Sequence, residues 1–458
     1  MKLKSFYGAA LAVLLLASCN NEDASYPIGP DEEGRGESTV MKLAITQEST
    51  GTRAFSGSEA ATGDEAAVKS AVLYVFDKAG LLEHIVDLNV NSGVTEDKVI
   101  ATSAGRKSIF ALVNLPDLNQ PGGAPLAAAL ADFEVNQTPI GQFQAVISVA
   151  EMLDLTQPSS TSTGFFMTNF DKNHIIDVAA NVTEATATAG NTAAENYIKV
   201  PVGRAFAKVN LAKAADVVEI QGTLDNIEYR VRNNPNQMYM VQKWDPSFGY
   251  LLTPYFTGPA SGGTYFGNGD GTTPTFSPIG TSEYAMENSN DVARYGNATY
   301  LSIKGVFTPE TVFDENGVVS TTPSAPITFY RIYMPTLDSY TSKIYFEEPT
   351  TTEVERETGM TIIGGDPNDP VIKTYTDGVC YYGLWIEDQT YNANDVVNRY
   401  SVRRNYYYYA HIKQINGPGE SDEDDVIVDP ELPIKEGTWM KATIEVKPWV
   451  GVDFSGII

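Results

Sequence analysis

The side chains able to do chemistry in this 458-residue chain are few and far apart. Its three histidines, His84, His174 and His411, include no pair at zinc-binding spacing. No Gly-rich phosphate loop and no nucleophile elbow is present. Gly267-Asn268-Gly269-Asp270-Gly271 has calcium-loop composition but lacks the closing bidentate glutamate and the ligand spacing, so it reads as a turn. The 58 acidic residues offer no localised pair for acid–base work. The sequence therefore points to no catalytic residue, no cofactor and no metal, and an enzyme is not expected. Tyr406-Tyr407-Tyr408-Tyr409 could form a sugar-stacking platform, yet on a strand only alternate rings share a face, which favours core and cross-strand packing. One residue is placed to be acted upon. Arg53 is the only basic residue between Lys42 and Lys69, inside a small and polar stretch, Glu48 to Ser58. An arginine-specific protease has one obvious target there, the alternative being a solvated loop arginine.

The net charge of −27 repels phosphate backbones and argues against nucleic acid. Lys2 and Lys4 precede an apolar run, Ala9 to Ala17, too short to span a bilayer. It ends in Leu16-Ala17-Ser18-Cys19, which resembles the lipobox of bacterial lipoproteins. The resemblance implies cleavage before Cys19 and lipidation of its thiol, so membrane contact is expected only through that lipid. Cys380 then has no disulfide partner and is expected to be a small buried hydrophobe.

The elements that would position these residues are mostly strands, since Tyr, Thr, Val and Gly are abundant and helical periodicity is rare. Asn20 to Ser38 reads as a tether. Val40 to Thr46 alternates, with Met41, Leu43 and Ile45 on one face. Val68 to Phe76, Ser108 to Leu115, Gly164 to Phe170 and Tyr197 to Leu211 have strand character, with short helices expected over Ala124 to Phe133 and Phe143 to Leu153. A first domain closes near residue 212. Further strands are expected at Val217 to Val231, Met238 to Trp244, Ala298 to Val306, Ile327 to Met334, Gly378 to Ile386 and Tyr406 to Ile415, and Asp422 to Asp425 reads as a solvated charge run. From Met440 every second residue is uncharged: Met440, Ala442, Ile444, Val446, Pro448, Val450, Val452, Phe454, Gly456 and Ile458. That is an apolar stripe on a half-buried strand, and Pro448 predicts a break into two short strands.

Several of these stretches together resemble the fimbrillins of Bacteroidota type V pili, in particular the major shaft subunit of the short fimbriae. The resemblance runs through Glu287-Asn288, Tyr295 to Gly305, Val379-Cys380-Tyr381-Tyr382, Val402-Arg403-Arg404-Asn405 with Tyr408, Leu432-Pro433 and Val446-Lys447-Pro448-Trp449. It implies a mostly β chain of two transthyretin-like β-sandwich domains with short inserted helices. It implies a signal peptide over 1–18, a propeptide over 19–53 whose strand is displaced, an N-terminal domain over 54–212, and a C-terminal domain over 213–458 ending in donor strands 439–458. Cleavage is implied between Arg53 and Ala54. The implied displaced strand carries Met41, Leu43 and Ile45, and the implied donor carries Met440, Ala442, Ile444, Val446, Val450, Val452, Phe454 and Ile458. Implied partners are identical or related pilin subunits in a head-to-tail polymer, an arginine-specific protease, anchor and tip pilins, and host or bacterial surface ligands. Export to the outer membrane and a mature form in the surface fimbrium follow from the same resemblance. The other reading of the chain is a monomeric surface lipoprotein that binds a host glycan or protein, or a tip or accessory pilin.

Overall fold

The computed structural model describes residues 37–47, 59–60, 65, 67–91, 94–115, 123–149, 164–169, 175–189, 196–258, 275–320, 322–427, 429–434 and 439–450. Cys19, Arg53, Ala54, His174, the loop at 267–271 and Val452, Phe454 and Ile458 lie outside them. The chain is mostly β, with a few short helices.

The N-terminal part is organised on an eight-stranded sheet. Its order is Leu82–Leu88, Ala71–Phe76, Gly105–Val113, Met167–Asn169, Tyr197–Arg204, Ser38–Gln47 and Lys98–Ser103, with Ile175–Val178 paired beside Gly105–Val113. β-branched and aromatic side chains suit this pleated surface. Leu73, Val75, Phe76, Ala111 and Val113 are fully buried, and Phe143 packs among Phe76, Phe110 and Tyr74.

The second part holds a sheet ordered Glu283–Ala285, Ala207–Glu219, Tyr406–Ile415, Met440–Val450 and Glu59–Ala60. A four-stranded sheet accompanies it, ordered Ser277–Pro278, Gly222–Arg232, Tyr300–Pro309 and Val379–Trp385. Both contribute to one apolar cluster that includes Val209, Leu211, Leu224, Tyr229, Leu301, Ile303, Tyr408 and Ile412.

Four expectations are corrected. The run Tyr197 to Leu211 is two strands, and the chain passes from one sheet to the other between Arg204 and Ala207. Ala205 and Phe206 there are apolar and buried, so composition alone does not mark the junction. Phe143 to Leu153 is not one helix: a helix spans Ile140–Gln144 and a strand spans Ile147–Val149, where Ile and Val suit the extended state. Asp422 to Asp425 turns partly inward, because Glu423 pairs with Arg230 and accepts from Ser302 Oγ at 2.6 Å, while Asp425 meets Lys373 at 2.7 Å. The C-terminal strand runs unbroken through Pro448. Between Met440 and Lys447 its one paired neighbour among the described residues is Tyr406–Ile415, and a proline is tolerated on such an edge because its missing donor can face away from the ladder.

Candidate functional site: a buried leading strand and its slot

Ser38–Gln47, the leading strand, lies inside a sheet rather than at its rim. It pairs in parallel with Tyr197–Arg204, with Lys42 opposite Tyr197 and Gln47 opposite Val202. On its other side it pairs antiparallel with Lys98–Ser103, with Ser38 opposite Ser103 and Leu43 opposite Lys98. Met41 and Leu43 are fully buried in the first core, and Ile45 is half-buried against it. Ala44 is buried on the opposite face, so this strand is covered more completely than its alternation predicts.

Polar side chains fix its ends. Asn196 is fully buried at φ 56°, a left-handed conformation that asparagine tolerates better than most residues. Its Nδ2 donates to Val40 O at 2.9 Å, to Ala179 O at 2.9 Å and to Thr39 Oγ1 at 3.2 Å, while its Oδ1 accepts from Ala179 N at 2.8 Å. Thr39 Oγ1 donates to Ala179 O at 2.8 Å and accepts from Val182 N at 3.1 Å. The backbone N–H of Lys42 donates to Asn196 O at 2.8 Å. Three residues beyond Thr39, Lys42 Nζ lies 2.9 Å from Asp97 and 4.4 Å from the centroid of the Tyr197 ring. Tyr197 OH donates to the same carboxylate at 2.8 Å. Burial, and then that hydrogen bond, push the Tyr197 phenol up to about 12, so it stays a donor at any ordinary pH.

The second part repeats this arrangement with a different occupant. Asn405, at φ 61° and buried, precedes Tyr406–Ile415 as Asn196 precedes Tyr197–Arg204. The strand in parallel beside it is Ala207–Glu219, with Lys208 opposite Tyr407. That occupant is mid-chain and held at both ends. In sequence the leading strand is followed by residues 48–58, the stretch that contains Arg53.

The closing strand, Met440–Val450, pairs antiparallel with Tyr406–Ile415, from Tyr406 opposite Pro448 to Ile415 opposite Met440. Met440, Ile444 and Val446 are buried in the second core and Ala442 is half-buried, whereas Lys441, Thr443 and Glu445 are exposed. Val450 ends the strand. Trp439, just before it, packs over the Arg331 guanidinium at 4.5 Å, with Tyr340 also over that guanidinium at 4.3 Å. Past Pro448 the pair Glu59–Ala60 lies parallel to Trp449 and Val450.

Two buried polar clusters join the parts. Arg404 pairs with Glu287, both 1% exposed at the side chain, and reaches Thr168 Oγ1 and Met240 O at 3.0 Å and Tyr239 O at 2.8 Å. Glu65 accepts from Lys208 Nζ and from Tyr284 OH at 3.0 Å, and Arg204 Nε donates to Glu65 O at 2.8 Å. Burial lowers the Arg204 pKa to about 10, still charged at neutral pH. Glu287 and Arg404 are among the residues that carry the sequence resemblance, whereas the pairing of Glu65 with Arg204, Lys208 and Tyr284 is not legible in sequence, because these partners lie more than a hundred positions from it. The Asn-Tyr dipeptide repeated at 196–197 and 405–406 is the one signal that could have found the two strand entries.

His84 and His411 are strand residues in different sheets, each half-buried. Cys380 is buried with a free thiol. Tyr407 and Tyr409 stack at 5.8 Å on one face of their strand while Tyr408 enters the second core on the other, as alternation requires. Among the described residues no group of acidic, histidine or cysteine side chains is arranged to hold a metal, and no helix is long and apolar enough to cross a membrane.

Residues 373–453, which carry the Val379–Trp385, Tyr406–Ile415 and Met440–Val450 strands, match the family model of the major fimbrial subunit protein type IV, fimbrillin, C-terminal region. The chain is thus similar, in its C-terminal region, to the fimbrillins. Among solved structures it is similar to a candidate cell adhesion protein from Parabacteroides distasonis, at 17% identity and TM-score 0.48, over 90% of this chain and 99% of that one. It is similar to a fimbrillin from Porphyromonas gingivalis W83, at 12% identity and TM-score 0.43, over 92% and 99%. It is also similar to the tip fimbrial protein Mfa3 from Porphyromonas gingivalis, with C-terminal truncation, at 15% identity and TM-score 0.40, over 90% and 100%. No curated protein matches its sequence.

Proposed function

We propose that this chain is a fimbrillin, a shaft pilin that polymerises by strand exchange after an arginine-specific protease cuts between Arg53 and Ala54. The observation that carries this reading is the leading strand, buried between two neighbours and followed in sequence by the stretch 48–58 with its single arginine. A lipoprotein precursor, lipidated at Cys19, is exported to the outer membrane. Cutting turns the leading strand from an intramolecular occupant into a peptide that can be diluted away. Its departure leaves two unpaired strand edges and the apolar holes of Met41 and Leu43, an unfavourable surface in water. The C-terminal donor of another subunit, carrying Met440, Ala442, Ile444, Val446, Val450, Val452, Phe454 and Ile458, fills them by β-strand addition. Donor and slot are different surfaces, so the contact is head-to-tail and propagates into an adhesive filament, begun on an anchor pilin and completed by a tip pilin.

Met440, Ile444 and Val446 already lie in their own core, so moving them to a neighbour's slot exchanges one burial for another. The direction of the reaction then comes from the irreversible loss of the leading strand. Because effective concentration favours a tethered strand strongly, an uncut chain should not exchange.

Arg53→Ala tests the trigger. The variant should accumulate as an unprocessed, monomeric lipoprotein, whereas the wild-type surface protein should begin at Ala54 by N-terminal sequencing. Polymer ladders of normal yield from the variant would sink this reading, and an acylated Cys19 on the surface-extracted wild-type chain would favour the monomeric lipoprotein instead.

A further inference from the structure

A short hairpin holds a row of aromatic rings open to solvent. Lys243–Trp244 pairs antiparallel with Leu251–Leu252, Trp244 opposite Leu251, and residues 245–250 close the turn. Phe248, near the tip, is 71% exposed. Its ring stacks on Tyr250 at 5.6 Å with 14° between the planes, and Tyr250 lies 6.4 Å and 30° from Phe256. Tyr250 and Phe256 are half-buried, so the row leads outward from the fold and ends in a bare ring. We propose that this row is a binding site for a neutral oligosaccharide, whose pyranose rings lay their C–H faces on Phe248 and Tyr250. The inference is independent of the strand-exchange reading, since it uses none of the same residues.

The turn holds the outer ring away from the fold. Asp245 Oδ1 accepts from Ser247 N at 2.9 Å and from Phe248 N at 2.7 Å, and Asp245 O accepts from Gly249 N at 2.9 Å. The Asp245 N–H donates to Tyr250 O at 2.8 Å. Gly249 supplies the left-handed step, at φ 68°. Behind the row, Thr253 Oγ1 donates to the O of buried Ser289 at 2.8 Å, and Phe256 O accepts from Asp291 N at 2.8 Å. At the base of the hairpin the guanidinium of buried Arg403 lies over the Trp244 ring at 5.6 Å. The backbone therefore sets the order and spacing of the rings before a ligand arrives, which lowers the ordering cost of binding.

Shape, polarity and charge favour a sugar over the other occupants of an exposed aromatic row. The three rings are close to parallel, so they offer flat faces in series, matching consecutive rings of an oligosaccharide better than the irregular side chains of a protein. The negative face of an aromatic ring attracts the polarised C–H bonds of a pyranose, as it attracts cations. Within the same turn stand Asp245, exposed Ser247 and the Tyr250 hydroxyl, which can exchange hydrogen bonds with sugar hydroxyls. Nucleobases also stack on aromatic rings, but they carry phosphates that a chain of net charge −27 repels, and the same charge opposes an anionic membrane surface.

The test applies the full-length protein to immobilised neutral oligosaccharides: β-linked glucose, β-linked galactose, β-linked N-acetylglucosamine and α-linked mannose oligomers. The wild-type chain should bind at least one of them. Phe248→Ala should weaken that binding about tenfold, the effect of losing one stacking face. Phe248→Trp should hold or strengthen it, and Phe248→Leu, apolar but not flat, should bind as weakly as the alanine variant. Because Phe248 is exposed, all three variants should melt with the wild type, which separates lost binding from lost folding. A wild-type chain that binds none of the four, or a leucine variant that binds as well as wild type, would overturn the proposal. So would a row that serves another partner: co-sedimentation with phosphatidylcholine vesicles, or association of copies in sedimentation velocity, that Phe248→Ala abolishes while sugar binding is unchanged.

Discussion

Leu43→Ala isolates what holds the leading strand in place. The side chain is fully buried in the first core, so truncation removes its transfer free energy and leaves a cavity, together about 2–5 kcal/mol. If the strand leaves as one unit after cleavage, that penalty falls mainly on its departure. At about 1.4 kcal/mol per decade, a mid-range loss of ~3 kcal/mol speeds release by roughly a hundredfold. The assay is a time course on purified, protease-cut protein, with the intact mass of the folded fraction reporting retention or loss of the segment ending at Arg53. Leu301→Ala provides the control, because Leu301 is equally buried but belongs to the second core. It should lower thermal stability without speeding release. Equal release rates for the two variants, or a Leu43→Ala chain that sheds the segment at the wild-type rate, would refute the idea that the leading strand departs independently of the rest of the fold.

Other perturbations report on the same architecture. Asn196→Gly keeps the left-handed backbone but deletes the amide that ties Val40, Ala179 and Thr39. It should destabilise the leading strand by about 1–3 kcal/mol, read as faster hydrogen exchange across residues 38–47. Arg404→Met leaves Glu287 buried without its partner and should destabilise by about 3–5 kcal/mol, with adding Glu287→Leu restoring much of the loss in a double-mutant cycle by denaturant unfolding. Glu83 is half-buried, which raises its pKa, but hydrogen bonds from Lys107 and Ser103 outweigh burial and hold the carboxyl below its ordinary value. A depressed carboxylate contributes stability that is full above its unfolded pKa and is lost as pH falls through the folded one. Glu83→Gln should therefore show a shallower fall in melting temperature below about pH 4.5, the ordinary glutamate range, and an unchanged slope there would contradict the assignment.

Much of the fold could be read from local pattern. Tyr406 to Ile415 is a strand over the expected residues, and burial of Met440, Ile444 and Val446 against exposure of Lys441, Thr443 and Glu445 follows the period of two. Met41 and Leu43 face a core for the same reason. Pattern failed where the deciding neighbour was distant. Pro448 continues a strand because, among the described residues, that edge carries no ladder to break along Met440 to Lys447, and Glu423 turns inward because Arg230 and Ser302 arrive from other strands.

The sequence by itself determined most of the extended segments, which face of each is apolar, and where a single arginine stands in a polar stretch. These are local facts, set by side-chain chemistry and the two-residue repeat of a strand. Only the tertiary structure decided that Ser38–Gln47 sits between Tyr197–Arg204 and Lys98–Ser103, that Asn196 and Asp97 read its Thr39 and Lys42, and that Met440–Val450 lies in its own sheet on a different flank. Strand pairing joins residues far apart in sequence, as Lys42 with Tyr197 and Ser38 with Ser103, and an alternating strand is compatible with many neighbours. Which neighbour it takes depends on the whole chain's packing.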